Sequence, residues 1–184
     1  MKTKEITLTA IMLTILIICS QLSIPIGPVP ITLQTLAVMM IGYLLTPRNA
    51  LLATSTYLVI GLAGLPVFSA FSGGLHSVFM PSFGFALSFV PASYLQAKYL
   101  ERNKPLEFRH LITAGLLNFS VTYLIGLTYM TGILNIYMNS QLNFVGILMA
   151  GFIPFLLGDI LKIIVAVTLT KKILPIIEKS FAAI

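Results

Sequence analysis

Two ionisable residues sit where the chain is otherwise most apolar. Asp159 and Lys162 lie three apart in the run FIPFLLGDILK at 152–162. In a helix that spacing puts both side chains on one face. An ionised group near a bilayer centre costs at least ~2.5 kcal/mol on insertion scales, so such groups usually face a bundle interior and often mark a ligand or ion path. Two readings follow. The pair binds a polar ligand, or it is a neutralised pair that ties its helix to itself. An apolar pair would hold the helix as well without the desolvation penalty, which favours the first. Phe155 falls on the same face one turn earlier and Ala166 one turn later. An aromatic wall, an acid and a base therefore line up.

Other polar candidates lie in the connections. The segment 25–32 (PIGPVPIT) is stiff and apolar, and serves either as a lid over a cavity mouth or as a plain tight turn. Gln34 follows it, placed to read a small amide or urea group or to cap its own helix. The connection 61–81 holds four glycines and one titratable group, His76. Glycine lets the backbone approach a ligand closely, so Ser72, Gly73 and Gly74 are the candidate contact there; a solvated hairpin is the alternative. His76 alone is expected to be a surface histidine. Thr3, Thr7, Ala10 and Thr14 form a small-residue stripe on the first helix. Small residues let membrane helices approach closely, so the stripe docks either another helix of this chain or a separate subunit. There is no GxxxxGK[ST] phosphate loop, no HExxH and no Ser/His/Asp set, so ATP hydrolysis and intramembrane proteolysis have no visible machinery. No metal site is expected, and Cys19 is the single cysteine, which rules out an internal disulfide.

The elements that position these residues are set by composition. Hydrophobic residues make up 58% of the 184, and charged residues 9%, against roughly 25% in a soluble domain. Mean hydropathy is +1.01. Eleven Lys+Arg and five Asp+Glu cannot cover the exterior of a soluble enzyme, so an integral membrane protein is expected. Three stretches carry no charge: 6–47, 49–97 and 110–158. A helical crossing needs ~20 apolar residues. The first two stretches hold two crossings each, and the third holds one plus a long return. A last helix carries Asp159 and Lys162. This predicts an all-α bundle of six transmembrane helices in one membrane domain, 1–184, at about 6–24, 32–46, 49–62, 82–100, 110–134 and 153–172. Pro25, Pro28 and Pro30 break the first helix from the second. Asn135, Asn139, Ser140, Gln141 and Asn143 mark the return, and Pro154 suits the first turn of the last helix.

With the N-terminus in the cytoplasm, the inner segments and helix edges hold Lys2, Lys4, Arg48, Lys98, Arg102, Lys104, Arg109, Lys171, Lys172 and Lys179. That is all of the basic residues except Lys162. The asymmetry places both termini inside. It also explains the sequence pI of 9.6 without nucleic acid. The first helix is expected to stay as a membrane anchor, since no small-x-small cleavage site follows it.

Four segments then resemble, in order, those of the BioY family, the biotin-specific substrate-binding (S) components of energy-coupling factor (ECF) transporters. They are GPVPITLQTLAVMM at 27–40, YLVIGLAGLPVF at 57–68, Gly73–Gly74, and the run at 152–162. The resemblance spans about 25–165. It implies six transmembrane helices in a prokaryotic cell membrane and biotin as the transported ligand, with no cofactor and no covalent chemistry. It also implies partner subunits: a transmembrane coupling protein and two cytoplasmic ATPases. Asp159 would accept hydrogen bonds from the ureido group. Lys162 would supply charge and donors to a polar end of the ligand, and the loops at 25–31 and 63–81 would close over it. The chain departs from the family at MPSFGF (80–85), where Gly-Pro-[Ser/Thr]-Gly-Gly-Tyr is typical. Ala86 stands where some members carry a base, and Thr14 replaces a second alanine after Ala10. Rival expectations are an ion-coupled carrier using Asp159 as a proton site, and an intramembrane enzyme.

Overall fold

The computed structural model describes residues 3–182; Lys2, assigned above to the inner side, lies outside them. Among the described residues the chain forms seven α-helices: α1 (Thr3–Gln21), α2 (Gln34–Leu44), α3 (Pro47–Leu62), α4 (Phe83–Arg102), α5 (Phe108–Gly132), α6 (Phe144–Gly151) and α7 (Ile153–Ala182). A two-stranded antiparallel ribbon, β1 (Ser23–Ile24) and β2 (Ile31–Thr32), joins α1 to α2. Two 3-10 turns, Ser69–Phe71 and Leu75–Phe79, lie in the connection from α3 to α4.

Local chemistry explains the ends. Thr46 caps α3 by accepting from the Asn49 amide, with Pro47 in the first turn, where its missing N–H leaves nothing unpaired. Glu107 and His110 cap α5 reciprocally. Asn143 caps α6 through the Gly146 amide at 2.8 Å.

Several bounds differ from those expected. α1 ends at Gln21 instead of continuing to 24, because Ser23 and Ile24 pair with Thr32 and Ile31 across a ribbon whose tip has Gly27 at φ +64°. α6 occupies part of the expected return. It breaks from α7 at Gly151, where a Cβ would meet Met130 Cε at 2.5 Å. α7 runs through Pro175 to Ala182, well beyond 172. A proline removes one ladder bond and bends a helix without always ending it. Here the Lys4 ammonium also donates to the Ser180 carbonyl, tying the two terminal helices.

The exterior, unlike that of a soluble protein, is largely apolar, and several polar side chains are buried among the apolar core. Gln96, Asn118, Thr54, Ser93 and Thr170 are fully buried, while Ile6, Ile18, Val59, Leu124, Leu157 and Ile164 are exposed. Gln96 donates to the Met39 carbonyl (3.1 Å) and accepts from Asn118 Nδ2 (2.7 Å), stapling α2, α4 and α5. An apolar exterior around a hydrogen-bonded polar interior is what a bilayer demands. Three segments, Thr3–Gln21, Phe108–Tyr137 and Ile153–Ile177, are each long and apolar enough to cross a membrane. α2, at 11 residues, spans only about 16 Å.

Two apolar clusters form the core. One centres on Leu16, Val38, Ile41, Tyr57, Phe89 and Val167; the other holds Val29, Tyr123, Met130, Leu134, Ile147 and Phe155. The space between them is the candidate functional site.

Candidate functional site

A cavity of about 700 Å³, part of it continuous with solvent, opens between the clusters. α7 contributes Phe155, Asp159 and Lys162, α5 contributes Thr122 and Tyr123, and α2 contributes Gln34 and Thr35. The 66–82 connection and the start of α4 close the remaining walls with Phe68, Ser72, Ser77, Phe83, Phe85 and Phe89 among others.

The acid–base pair is intact and buried. Lys162 Nζ lies 2.8 Å from Asp159 Oδ1, and Asp159 is 3% exposed. Thr35 Oγ1 accepts from Lys162 Nζ (2.9 Å) and donates to Asp159 Oδ1 (3.2 Å). Tyr123 donates its hydroxyl to Asp159 Oδ2 at 2.6 Å. The pair therefore bridges three helices instead of merely bracing its own. A carboxylate offers about four lone-pair sites and an ammonium three donors. Three acceptor sites and two donors are taken, which leaves one acceptor on Oδ2 and one N–H on Lys162. The Tyr123 ring is oriented by Phe119, Phe152 and Phe85, at centroid distances of 4.5, 5.0 and 5.8 Å.

The other expected residues divide. Gln34 lines the cavity, but its amide is engaged at both ends: Nε2 donates to Tyr57 Oη (2.6 Å) and Oε1 accepts from Thr32 Oγ1 (3.1 Å). Its side chain does not cap α2, and one N–H and one lone pair of the amide remain unused at the cavity wall. Ser72 lines the cavity, and its hydroxyl donates to the Ser69 carbonyl (2.8 Å). Gly73 and Gly74 are not lining residues. A Cβ on Gly73 would meet the Leu65 carbonyl oxygen at 2.2 Å, and the Gly74 amide donates to the Gly61 carbonyl (2.7 Å). Their close approach is to the end of α3. From the 25–31 segment Val29 and Pro30 reach the cavity, so the ribbon forms one of its walls. Among the described residues no three His, Cys, Asp or Glu side chains gather as a metal site.

The end of α1 holds the 66–71 segment in place. Ser20 Oγ donates to the Val67 carbonyl (2.6 Å), and Gln21 Nε2 donates to the carbonyls of Pro66 (3.3 Å) and Phe68 (3.2 Å). The Phe71 amide donates back to Gln21 Oε1 (2.9 Å). Farther along the same helix, Thr3, Thr7, Ala10 and Thr14 are all exposed. Thr7 and Thr14 donate to the carbonyls of Thr3 and Ala10, each at 3.0 Å. The stripe thus faces away from the other helices of this chain, with its hydroxyls already satisfied.

Comparison with known proteins agrees with this geometry. The chain is 33% identical over 176 residues to a probable biotin transporter BioY of Pyrococcus horikoshii, covering 94% of this chain and 98% of the relative. It is 35% identical over 163 residues to the biotin transporter BioY2 of Lactococcus lactis, covering 89% and 86%. A crystal structure of the S-component for biotin from an ECF-type ABC transporter superposes with a TM-score of 0.81 at 28% identity, over 94% of this chain and 91% of that one. The family model described as the BioY family matches residues 1–179. By sequence and fold, the chain belongs to the BioY family.

Proposed function

We propose that this protein is the biotin-binding S component of an ECF-type uptake transporter, taking the vitamin from outside a prokaryotic cell for import driven by partner subunits. The observation that carries the reading is the bridged pair lining the cavity, which keeps one acceptor site on Asp159 and one donor on Lys162 unused. A cyclic urea presents N–H beside C=O, the complement of this acceptor–donor doublet. The aromatic walls supply an apolar lining for the sulfur-containing bicycle, and nothing in the cavity is arranged to make or break a bond.

The chain is one membrane domain with six crossings and both termini in the cytoplasm. The placement of basic residues at one side supports this. The partners are a transmembrane coupling subunit and two cytoplasmic ATPases. Calorimetric titration of the purified chain tests the reading. Biotin binds, while thiamine and riboflavin do not, and ATP is not hydrolysed. Accumulation of biotin against a gradient by the lone chain in vesicles would replace the partner arrangement with an autonomous carrier.

The outward stripe Thr7, Ala10 and Thr14 is the docking surface for the coupling subunit. In lipid there is little hydrophobic drive between helices, so close backbone approach must supply contact energy. Ala10→Trp puts a bulky ring on this face. Biotin affinity and the melting temperature of the isolated chain stay at wild-type values, while co-purification with the coupling subunit and energised uptake fall together. Intact co-purification would remove the stripe from the docking surface.

A further inference from the structure

Ser77 stands apart from the other buried polar groups of the cavity, although the half-buried hydroxyls of Ser69 and Ser82 also line it without a partner. It is 2% exposed, it lines the cavity, and its Oγ is the one buried side-chain polar atom among the described residues without a hydrogen-bond partner. Its backbone is pinned on both sides. The Ser77 amide donates to the Gly74 carbonyl (3.1 Å) and the Ser77 carbonyl accepts from the Met80 amide (3.0 Å). The next carbonyl, of Val78, accepts from the Tyr129 hydroxyl. The backbone that carries the hydroxyl is therefore held in a fixed place. An unpaired buried donor is unfavourable and rare in native proteins.

Building on the reading of the cavity as a biotin site, we infer that the Ser77 hydroxyl donates to the carboxylate end of the ligand, and that this end is recognised by neutral donors without a cation. Biotin has two polar groups. The ureido edge is matched by the doublet on Asp159 and Lys162, which leaves the carboxylate for the unpaired serine hydroxyls of the opposite wall, of which Ser77 is the buried one. Lys162 is the single basic residue lining the cavity. Two of its three N–H groups are held by Asp159 and Thr35, and the third serves the ureido oxygen. Ala86, on the wall formed by the start of α4, offers no charge. A hydroxyl donates to a carboxylate oxygen and, more weakly, to an amide oxygen, so the site reads the presence of an acceptor more than its charge.

The test is a four-way titration by calorimetry, wild type and Ser77→Ala, each with biotin and with its primary amide. Wild type binds the amide within about tenfold of biotin. Ser77→Ala weakens both ligands by a similar factor, about tenfold, the size of one lost hydrogen bond to a desolvated ligand. Its ligand-free melting temperature is unchanged or raised, because an unpaired polar atom has been removed. Loss of the amide by more than about a hundredfold in the wild type would show that a cation reads the tail, and would overturn the inference without any variant. Unchanged affinity in Ser77→Ala would overturn it from the other side. A wild-type chain that binds no biotin would instead sink the functional reading, an outcome separate from both.

Discussion

Asp159→Asn weakens biotin binding by about 30- to 150-fold, and Lys162→Ala does so by at least as much, while both chains still insert and fold. The factor corresponds to about 2–3 kcal/mol, the worth of a charge-assisted hydrogen bond to a desolvated ligand. The asparagine variant keeps the shape but turns part of an acceptor into a donor. Tyr123, Thr35 and Lys162 all donate to Asp159, so a new N–H there faces donors. The alanine variant removes the cation and leaves a buried carboxylate unpaired, which is strongly unfavourable. Since both changes disable one doublet, the double variant loses far less than the sum of the two losses. Calorimetry on the three variants checks this. Wild-type affinity in both single variants would remove the pair from the site, and additive losses would show that they act separately.

Gly73→Ala is the other large effect, and it acts through the backbone. The atoms nearest a Cβ at this position are the Leu65 carbonyl oxygen at 2.2 Å, the Leu65 carbonyl carbon at 2.8 Å and the Gly61 carbonyl oxygen at 3.3 Å. None is the end of a flexible side chain, so the 66–80 segment must lift from the end of α3. Overpacking of this kind destabilises by about 1–3 kcal/mol. The same segment carries Phe68, Ser72 and Ser77, so biotin affinity falls more than tenfold along with the melting temperature. Gly132→Ala is the control. Nothing lies within 4 Å of its Cβ, and alanine favours a helix over glycine by up to ~1 kcal/mol. Wild-type melting and affinity in Gly73→Ala would show that the segment is not seated on α3.

The sequence exposes those parts of the site whose residue types are expensive in a membrane. Asp159 and Lys162 stand out because charge is scarce there, and Phe155 follows from helical spacing alone. Thr35 does not stand out, although it bridges the pair. It differs from Gln34 by one position, about 100° around the helix, and both are polar, so composition cannot say which faces α7. Tyr123 hides for a different reason: tyrosine is common in membrane helices, and its role depends on α5 packing beside α7. Gly73 and Gly74 were legible as a close backbone approach, but whether the approach is to a ligand or to α3 is a tertiary fact. Ser77 is one of several serines in its segment, and only packing reveals that its hydroxyl lacks a partner. Among the elements, α6 is missed because it continues the apolar run into α7 with no charge to divide them. The divide comes from Gly151 fitting against Met130.

The four hydrogen bonds between Ser20 or Gln21 and the 66–71 segment make α1 more than a membrane anchor. Ser20 lies about 20 Å along the helix axis from Thr7, and an α-helix transmits tilt over that distance as a rod. A force on the outward stripe that reorients α1 must either carry Phe68 and its neighbours with it or break those bonds. Cavity and stripe therefore share one mechanical element, and their occupancies are subject to thermodynamic reciprocity. If a subunit on the stripe prefers a tilted α1, it loosens the cavity wall and lowers the affinity for the vitamin. A filled cavity then weakens the hold of that subunit by the same factor.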